Sequence, residues 1–399
     1  MFIRVHLWFL LKPGPRPLDR CAAAIVGVAQ TPFSKHHAAG ELSLALGVIH
    51  AALDDAGLIA GDVDGLVKNA MEATEEHALA RALGVRDLRF FSQVPYGGGA
   101  TCGMVAHAAG AIAAGLADTV VCWRVRKRAS GGRPWTQVAS GAAGDAQFGA
   151  PYGLMRPADQ VALLMRRHML EFGSTSEQLG AIAVACRAHA AANPLALMRD
   201  PITLADHQAS RPVAEPLRLL DCCLESDAAA AFVVTSRARA RDCRQRPALI
   251  RAATQATGPQ PGRMLDYHKP HLLESSGHAA AATLYRQACL APGDIDCAQM
   301  YDSFTPFVLF ALEAYGFCPP GEGGRFAADG HLQWPNGSLP VNTHGGSLSE
   351  GYIQGMNHVI EAVRQIRGTA STQLARVHNV LVTSSTSVPT SAAVISADR

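Results

Sequence analysis

Charge is scarce in this chain of 399 residues: 17% of them are charged, and the formal net charge is +2. There is no lysine/arginine tract beyond Arg124-Val-Arg-Lys-Arg128. The clustered basic face that a nucleic acid requires is therefore missing. The short run reads as a solvated loop, or else as a lure for a substrate phosphate. Paired cysteines are also lacking. Of ten cysteines, the close pair Cys222-Cys223 is adjacent rather than spaced C-x-x-C, so no zinc site is written. Cys122, Cys186, Cys289 and Cys297 stand in apolar runs, where a thiol acts as a small buried hydrophobe of a reducing compartment, the cytoplasm. No membrane span is visible either, since one needs roughly 20 apolar residues. The N-terminal patch Leu7-Trp-Phe-Leu-Leu11 stops at Lys12-Pro-Gly-Pro without a small-residue cleavage motif. Residues 1–20 read as a poorly ordered leader, and the core is expected to begin near Ala22.

What the chain has is apolar bulk, at 48% hydrophobic residues, enough for a large core in two or three domains. Ala22-Ala-Ala-Ile-Val-Gly-Val suits a strand buried on both faces, and Glu41 to Gly57 carries apolar residues at helical spacing. An alanine-rich helix, Thr101 to Gly115, leads to a buried strand at Thr119-Val-Val-Cys-Trp. The second half repeats this grammar: a strand at Pro247 to Ala253, a helix at His278 to Cys289, a helix at Ile353 to Arg367 and a strand at Val377 to Thr383. Ala56-Gly-Leu-Ile-Ala-Gly-Asp-Val-Asp64 runs in register with Ala288-Cys-Leu-Ala-Pro-Gly-Asp-Ile-Asp296, and Gly103-Met104 with Gly355-Met356. An internal duplication at this spacing means two similar α/β lobes, each a sheet with helices packed on it. The expected division is an N-terminal lobe from residues 21–126 and 219–246, an inserted substrate cover at 127–218, and a C-terminal lobe at 247–399.

Two polar, glycine-flanked loops carry candidate chemistry: Tyr301-Asp-Ser-Phe-Thr, and Asn342-Thr-His-Gly-Gly-Ser-Leu-Ser-Glu-Gly-Tyr352. A phenol activates a thiol poorly, yet it can shuttle a proton to an alkoxide or donate a hydrogen bond to an enolate. Taken by themselves, Tyr301 and Tyr352 can equally be packing residues with satisfied hydroxyls. His344 either relays protons or ties the glycine loop, and Asp302 either joins that relay or scaffolds its loop. Asn342 is expected to fix its loop by side-chain to backbone bonds. Gly345, Gly346 and Gly351 permit close backbone approach, here expected to be to a bulky ligand. Tyr96, beside Gly97-Gly98-Gly99, is a candidate pocket wall, and His278 caps its helix or touches substrate.

These loops, together with Val94-Pro-Tyr-Gly-Gly98 and Leu219-Leu-Asp-Cys-Cys-Leu-Glu-Ser-Asp227, resemble the thiolase superfamily from Ala22 onward. The resemblance is to its sterol-carrier-protein thiolase-like (lipid-transfer) branch, and most of all to the steroid side-chain-cleaving aldolases. It implies a layered α-β-α-β-α thiolase fold. Thiolases place a nucleophilic cysteine at the mouth of the first-lobe helix; that position falls near Gly99 here, and only Cys102 is close. Their second cysteine is missing from Val382-Thr-Ser-Ser-Thr-Ser-Val-Pro-Thr390. Tyr352 takes the family's histidine place and Tyr301 its asparagine or histidine place.

The resemblance thus implies a lyase with Tyr301, Tyr352 and His344 as catalytic groups. Substrate is expected at Tyr96, Gly98, Gly99, Asp302, Gly345, Gly346 and Gly351. The implied reaction is retro-aldol cleavage of a 17-hydroxy steroid acyl-CoA to a 17-keto steroid and propionyl-CoA, with no cofactor beyond the CoA of the substrate. The implied partners are a second copy, as a homodimer, and a small zinc-ribbon/OB-fold protein. Two other readings stay open: an acyltransferase thiolase using Cys102, and a noncatalytic lipid or acyl-CoA binding subunit.

Overall fold

The computed structural model describes residues 21–131, 146–258, 271 and 273–398, so the expected leader falls outside the described residues. The first half runs β1 (Ala23–Gln30), α1 (Glu41–Ala56), β2 (Gly65–Asn69), β3 (Phe90–Val94), α2 (Thr101–Ala113) and β4 (Thr119–Lys127). Helices α3 (Pro157–Phe172) and α4 (Ser176–Ala191) follow, then β5 (Asp227–Ser236). The second half contains β6 (Ala248–Ala256), α5 (Ser276–Ala288), β7 (Cys297–Gln299), α6 (Thr305–Ala314), α7 (Met356–Arg367), β8 (Asn379–Thr383) and β9 (Thr390–Ala397).

These strands form one mixed sheet in the order β3-β2-β4-β5-β1-β6-β9-β8-β7. In the first half β1–β5 and β5–β4 are antiparallel, while β4–β2 and β2–β3 are parallel. In the second, β6–β9 and β9–β8 are antiparallel and β8–β7 is parallel. A lone parallel bridge from Ala298 to Val341 stands where the first half has β3. The halves join where Ala24 and Ile25 pair with Leu249 and Ala248.

The in-register sequence repeat has a local physical reason. Gly57 and Cys289 both take the left-handed conformation that closes a helix, at φ 74° after α1 and φ 49° after α5. Asp62 accepts the Ile59 amide at 2.9 Å, and Asp294 accepts the Ala291 amide at 2.7 Å. Asp64 accepts the amide of Thr119 at the start of β4, while Asp296 accepts that of Asn379 at the start of β8. Each retained aspartate holds the same turn in its own half.

Three apolar cores make the layering. One lies under α1, one under α5 and α6, and between them α2 and α7 pack against strands of both halves. Each fully buried Ile, Leu or Val in these layers contributes roughly 1.5–3 kcal/mol. Helix α2 sits deep because it is lined with small residues: a Cβ on Gly103 would stand 2.9 Å from Val94. Helices α3 and α4 join the core of the second half rather than standing apart. Among the described residues, no helix is long and apolar enough to cross a membrane.

Two expectations need correction, and a third is resolved between its alternatives. The Arg124–Arg128 run is no solvated loop; it continues through the end of β4, with Arg124 buried and bonded to Glu72 and Gln354. Its alternation follows the strand period, which places 124, 126 and 128 on one face. Cys289 is exposed, because it occupies the helix-closing position rather than the apolar face of α5. His278 is the third residue of α5, where its Nδ1 accepts the Ser275 amide at 3.2 Å, a capping role.

Candidate active site

The loops of interest leave the carboxyl ends of β3, β4 and β7, the usual mouth of an open α/β sheet. Beyond β7 the chain turns into α6 through residues 300–304, and Asn342 fastens this turn to the glycine loop. Its side chain accepts the Met300 amide at 2.7 Å and donates to the Met300 carbonyl at 2.8 Å, as one strand residue would to another. Asp302 points inward. It accepts the amides of Ser347 at 2.7 Å and Leu348 at 3.2 Å, capping the short helix Gly346–Ser349, and meets His358 Nε2 at 3.0 Å. Its carboxylate is spent on scaffolding.

The result is that the two loops meet phenol to phenol. The hydroxyls of Tyr301 and Tyr352 lie 2.9 Å apart, with the rings edge-on at 68° and the residues only 4% and 5% exposed. Ser226 holds the second tyrosine by its backbone: Oγ accepts the Tyr352 amide at 2.8 Å and donates to its carbonyl at 3.2 Å. Thr383 Oγ1 accepts the Tyr301 amide at 3.2 Å. Burial pushes both phenols up. For Tyr301 a charge on Tyr352 adds to the rise; for Tyr352 a charge on the half-buried Cys223 would add, while Arg128 and the hydrogen bond with Tyr301 oppose it. Tyr352 is therefore the less strongly raised of the two phenols.

Gly98 explains how Tyr301 reaches this place. A Cβ on residue 98 would stand 2.6 Å from Tyr301 Cζ and closer still to its hydroxyl. A Cβ on Gly99 would run into the Pro389 carbonyl. No side-chain nucleophile fits at the mouth of α2, because the Tyr301 phenol fills the space beside Gly98 and the Pro389 backbone fills that beside Gly99. Cys102, the remaining sulfur candidate, lies fully buried inside α2. Its Sγ donates to the Val382 carbonyl at 3.4 Å, and burial pushes the thiol up to about 12. It faces the β-sheet of the second half, not the phenols, so the acyltransferase alternative loses its nucleophile.

The other candidates divide. Gly345 abuts Ala190, Gly346 abuts Asp302 and Gly351 abuts Phe33, so these glycines permit contact between protein segments. At Gly345 the need is conformational too, with φ 103°. His344 Nε2 accepts from Asn357 Nδ2 at 3.2 Å, lies 3.6 Å from Glu350, and edges His358 at 4.9 Å between ring centroids. Burial pushes its imidazole well below the usual range. Among the described residues no hydrogen bond joins it to either phenol. Helix α4 backs this loop from the inserted region: Arg187 bonds Ser349 at 3.0 Å, and Asn193, just beyond the helix, bonds the His344 carbonyl at 2.9 Å. Tyr96 is 49% exposed in a left-handed turn, apart from the pair.

Sequence reasoning missed three neighbours of Tyr352. Arg128 lies over its ring, 5.1 Å from the centroid, and Glu225 pairs with Arg128 at 2.5 Å. Cys223, whose amide is held by the Ser303 carbonyl at 2.9 Å, is near enough for a charge on it to act on both phenols. The Leu219–Asp227 segment was visible as a motif, but only the folded chain places it against Tyr352.

Comparison with known proteins follows the same lines. Residues 263–396 match a family model described as thiolase C-terminal domain-like. The chain is 49% identical over 382 residues to the 17-hydroxy-3-oxo-4-pregnene-20-carboxyl-CoA lyase of Mycobacterium tuberculosis, covering 94% of this chain and 98% of that one. It is 48% identical over 387 residues to the steroid side-chain-cleaving aldolase of Thermomonospora curvata, covering 95% and 98%. A solved Ltp2-ChsH2(DUF35) aldolase superposes with a TM-score of 0.90 at 48% identity, over 95% of this chain and 98% of that chain. An SCP2-thiolase-like protein of Mycobacterium smegmatis, at 18% identity and TM-score 0.72 over 96% of this chain and 79% of that one, shares the fold. The chain belongs to the steroid side-chain-cleaving aldolases of the thiolase superfamily, carbon–carbon lyases that act on CoA thioesters.

Proposed function

We propose that this protein cleaves the side chain of a 17-hydroxy steroid acyl-CoA by a retro-aldol step, releasing a 17-keto steroid and propionyl-CoA. The observation that carries this reading is the buried 2.9 Å contact between the two phenolic hydroxyls. In the step, Tyr352 as phenolate takes the proton of the 17-hydroxyl. The alkoxide collapses to a ketone, the bond to the α-carbon breaks, and its electron pair moves into the thioester carbonyl. Tyr301 donates to the developing charge, and a phenolic proton returns to the α-carbon, giving propionyl-CoA. Atoms balance without free CoA, without a covalent enzyme intermediate and without a further cofactor.

A phenol near its ordinary pKa is mostly protonated at neutral pH, so a two-phenol unit that holds one negative charge is the working form. Donors set in place before charge develops cost no reorganisation in the transition state. Ser385 and Thr386, in the loop that replaces the family's second cysteine, keep buried hydroxyls without partners, and the Ser385 amide bonds the Gly98 carbonyl at 2.8 Å. They are available to a thioester oxygen. The environment of His344 supports the reading in which it ties the glycine loop.

Resemblance to the Ltp2-ChsH2(DUF35) aldolase supports assembly with a DUF35 partner, which we take to be a small zinc-ribbon/OB-fold protein; a homodimer and a cytoplasmic setting belong to the same proposal. The test is paired. Tyr301→Phe and Tyr352→Phe should each lower turnover of the steroid CoA ester by about 100-fold or more while leaving its binding intact. Retained turnover in both variants contradicts the reading, and loss of binding would reassign the tyrosines to substrate recognition.

A further inference from the structure

The site contains a cation that the reaction just described does not use. Arg128 stands over the Tyr352 ring, 5.1 Å from its centroid, at the point where β4 ends. Its side chain is 11% exposed, and Glu225 fixes its direction through the 2.5 Å pair. The next residue, Ser226, clasps the backbone of Tyr352 on both sides. Two consecutive residues thus hold the arginine and the tyrosine in one register. A phenolate spreads its charge onto the ring carbons, so a cation over the ring attracts the ionised form far more than the neutral one.

We propose that Arg128, aimed by Glu225, is a positioning residue that sets the proton affinity of Tyr352 and thereby the fraction of enzyme ready to act as base. The inference rests on the reading of Tyr352 as the base. The charged and titratable groups facing Tyr352 are Tyr301 across the hydrogen bond, Cys223 on the segment before Ser226, Arg126 on β4 and Arg128 just beyond its end, with Glu225 behind Arg128. Arg126 lies two residues earlier on the same strand face and is half-buried. Of the two arginines, Arg128 is the one seated on the ring. The same geometry explains why burial does not leave both phenols equally unable to ionise: Arg128 and then the Tyr301 hydrogen bond oppose the effect at Tyr352.

The test reads Tyr352 directly. In protein carrying Cζ-labelled tyrosine, the Tyr352 resonance is assigned by its loss in Tyr352→Phe, and the phenolate fraction is followed with pH in wild type, Arg128→Gln and Arg128→Lys. The expected result is a titration displaced upward by about one pH unit in Arg128→Gln, the size of shift an opposite charge at this range produces. In Arg128→Lys the titration stays within a few tenths of wild type. With steroid CoA ester, the rising limb of kcat/KM should move by the same amount, so that Arg128→Gln recovers activity as pH increases. Equal phenolate fractions in wild type and Arg128→Gln at every pH where both are folded, zero included, overturn the proposal. So does an activity loss in Arg128→Gln that is uniform in pH, which marks a merely structural arginine. If wild type fails to cleave the ester while the resonance still shifts, the assigned reaction is wrong and the electrostatic coupling stands.

Discussion

Replacing Gly98 by alanine tests the arrangement without touching either phenol. The added methyl would sit 2.6 Å from Tyr301 Cζ, whereas unstrained carbon contacts lie near 3.5 Å, so the ring must withdraw by about 1 Å. That displacement opens the 2.9 Å contact with Tyr352. A misplacement of this size costs roughly 100-fold in rate, about 2.7 kcal/mol in the barrier, where orientation carries catalysis. Overpacking should lower stability by about 1–3 kcal/mol, which leaves a folded enzyme. The assay is propionyl-CoA formation alongside denaturant unfolding, in wild type, Gly98→Ala, Tyr301→Phe and the double variant. Since the methyl acts through the hydroxyl, the change should cost only a few-fold in the Tyr301→Phe background. Wild-type turnover in a folded Gly98→Ala protein, or full additivity in the double variant, refutes the reasoning.

Other consequences are direct. Tyr301→Phe and Tyr352→Phe should each lower kcat by about 100- to 10,000-fold, and the double variant by little more, since the pair acts as one unit; steady-state kinetics decides. Cys102→Ala should keep wild-type turnover, and mass-mapped alkylation of the native protein should spare Cys102, whose thiol is buried and pushed up to about 12. Because the proposed step needs Tyr352 deprotonated and burial raises its pKa, kcat/KM should climb with pH throughout the neutral range; a profile flat from neutral to alkaline pH contradicts this. Glu361 is raised by burial from 4.5 to about 7. Its contribution to stability is therefore complete below about pH 4.5 and lost as pH rises through 7, by up to about 3 kcal/mol. Glu361→Gln keeps an acceptor for Thr343, at 2.6 Å in the native chain, and should flatten the stability profile across that window.

Most of the scaffold was legible, and the gaps have physical causes. α1 and α5 declare themselves by apolar spacing and by the turn residues that end them, and the repeat Gly57/Cys289 with its two aspartates is visible because each half must make the same turn. β5 is harder to see, since Ala228-Ala-Ala-Ala231 favours a helix intrinsically. Pairing with both β1 and β4 overrides that preference. β7, at three residues, is too short to show a period. At the site, Tyr352 and Asn342 stood out because polar residues in a glycine-rich loop need a reason, and Tyr301 because its loop resembles that of the thiolases. Arg128 did not, because nothing within a basic run says that its end will lie over an aromatic ring contributed by residue 352. The glycines were misjudged in a consistent way: the sequence shows that backbone must come close to something, but not whether that something is ligand or, as at Gly345, Gly346 and Gly351, another part of the chain.

The central claim is that two phenols perform carbon–carbon scission where thiolases use sulfur. The decisive measurement is mass spectrometry of the products formed from a 17-hydroxy steroid acyl-CoA in deuterated water, with isotopically labelled free CoA present and the small partner protein supplied. The account predicts a 17-keto steroid and unlabelled propionyl-CoA carrying one deuteron at its α-carbon, with both formed about 100-fold more slowly, or slower still, in Tyr352→Phe. Labelled CoA appearing in the acyl product, or cleavage undiminished in Tyr352→Phe, would contradict it.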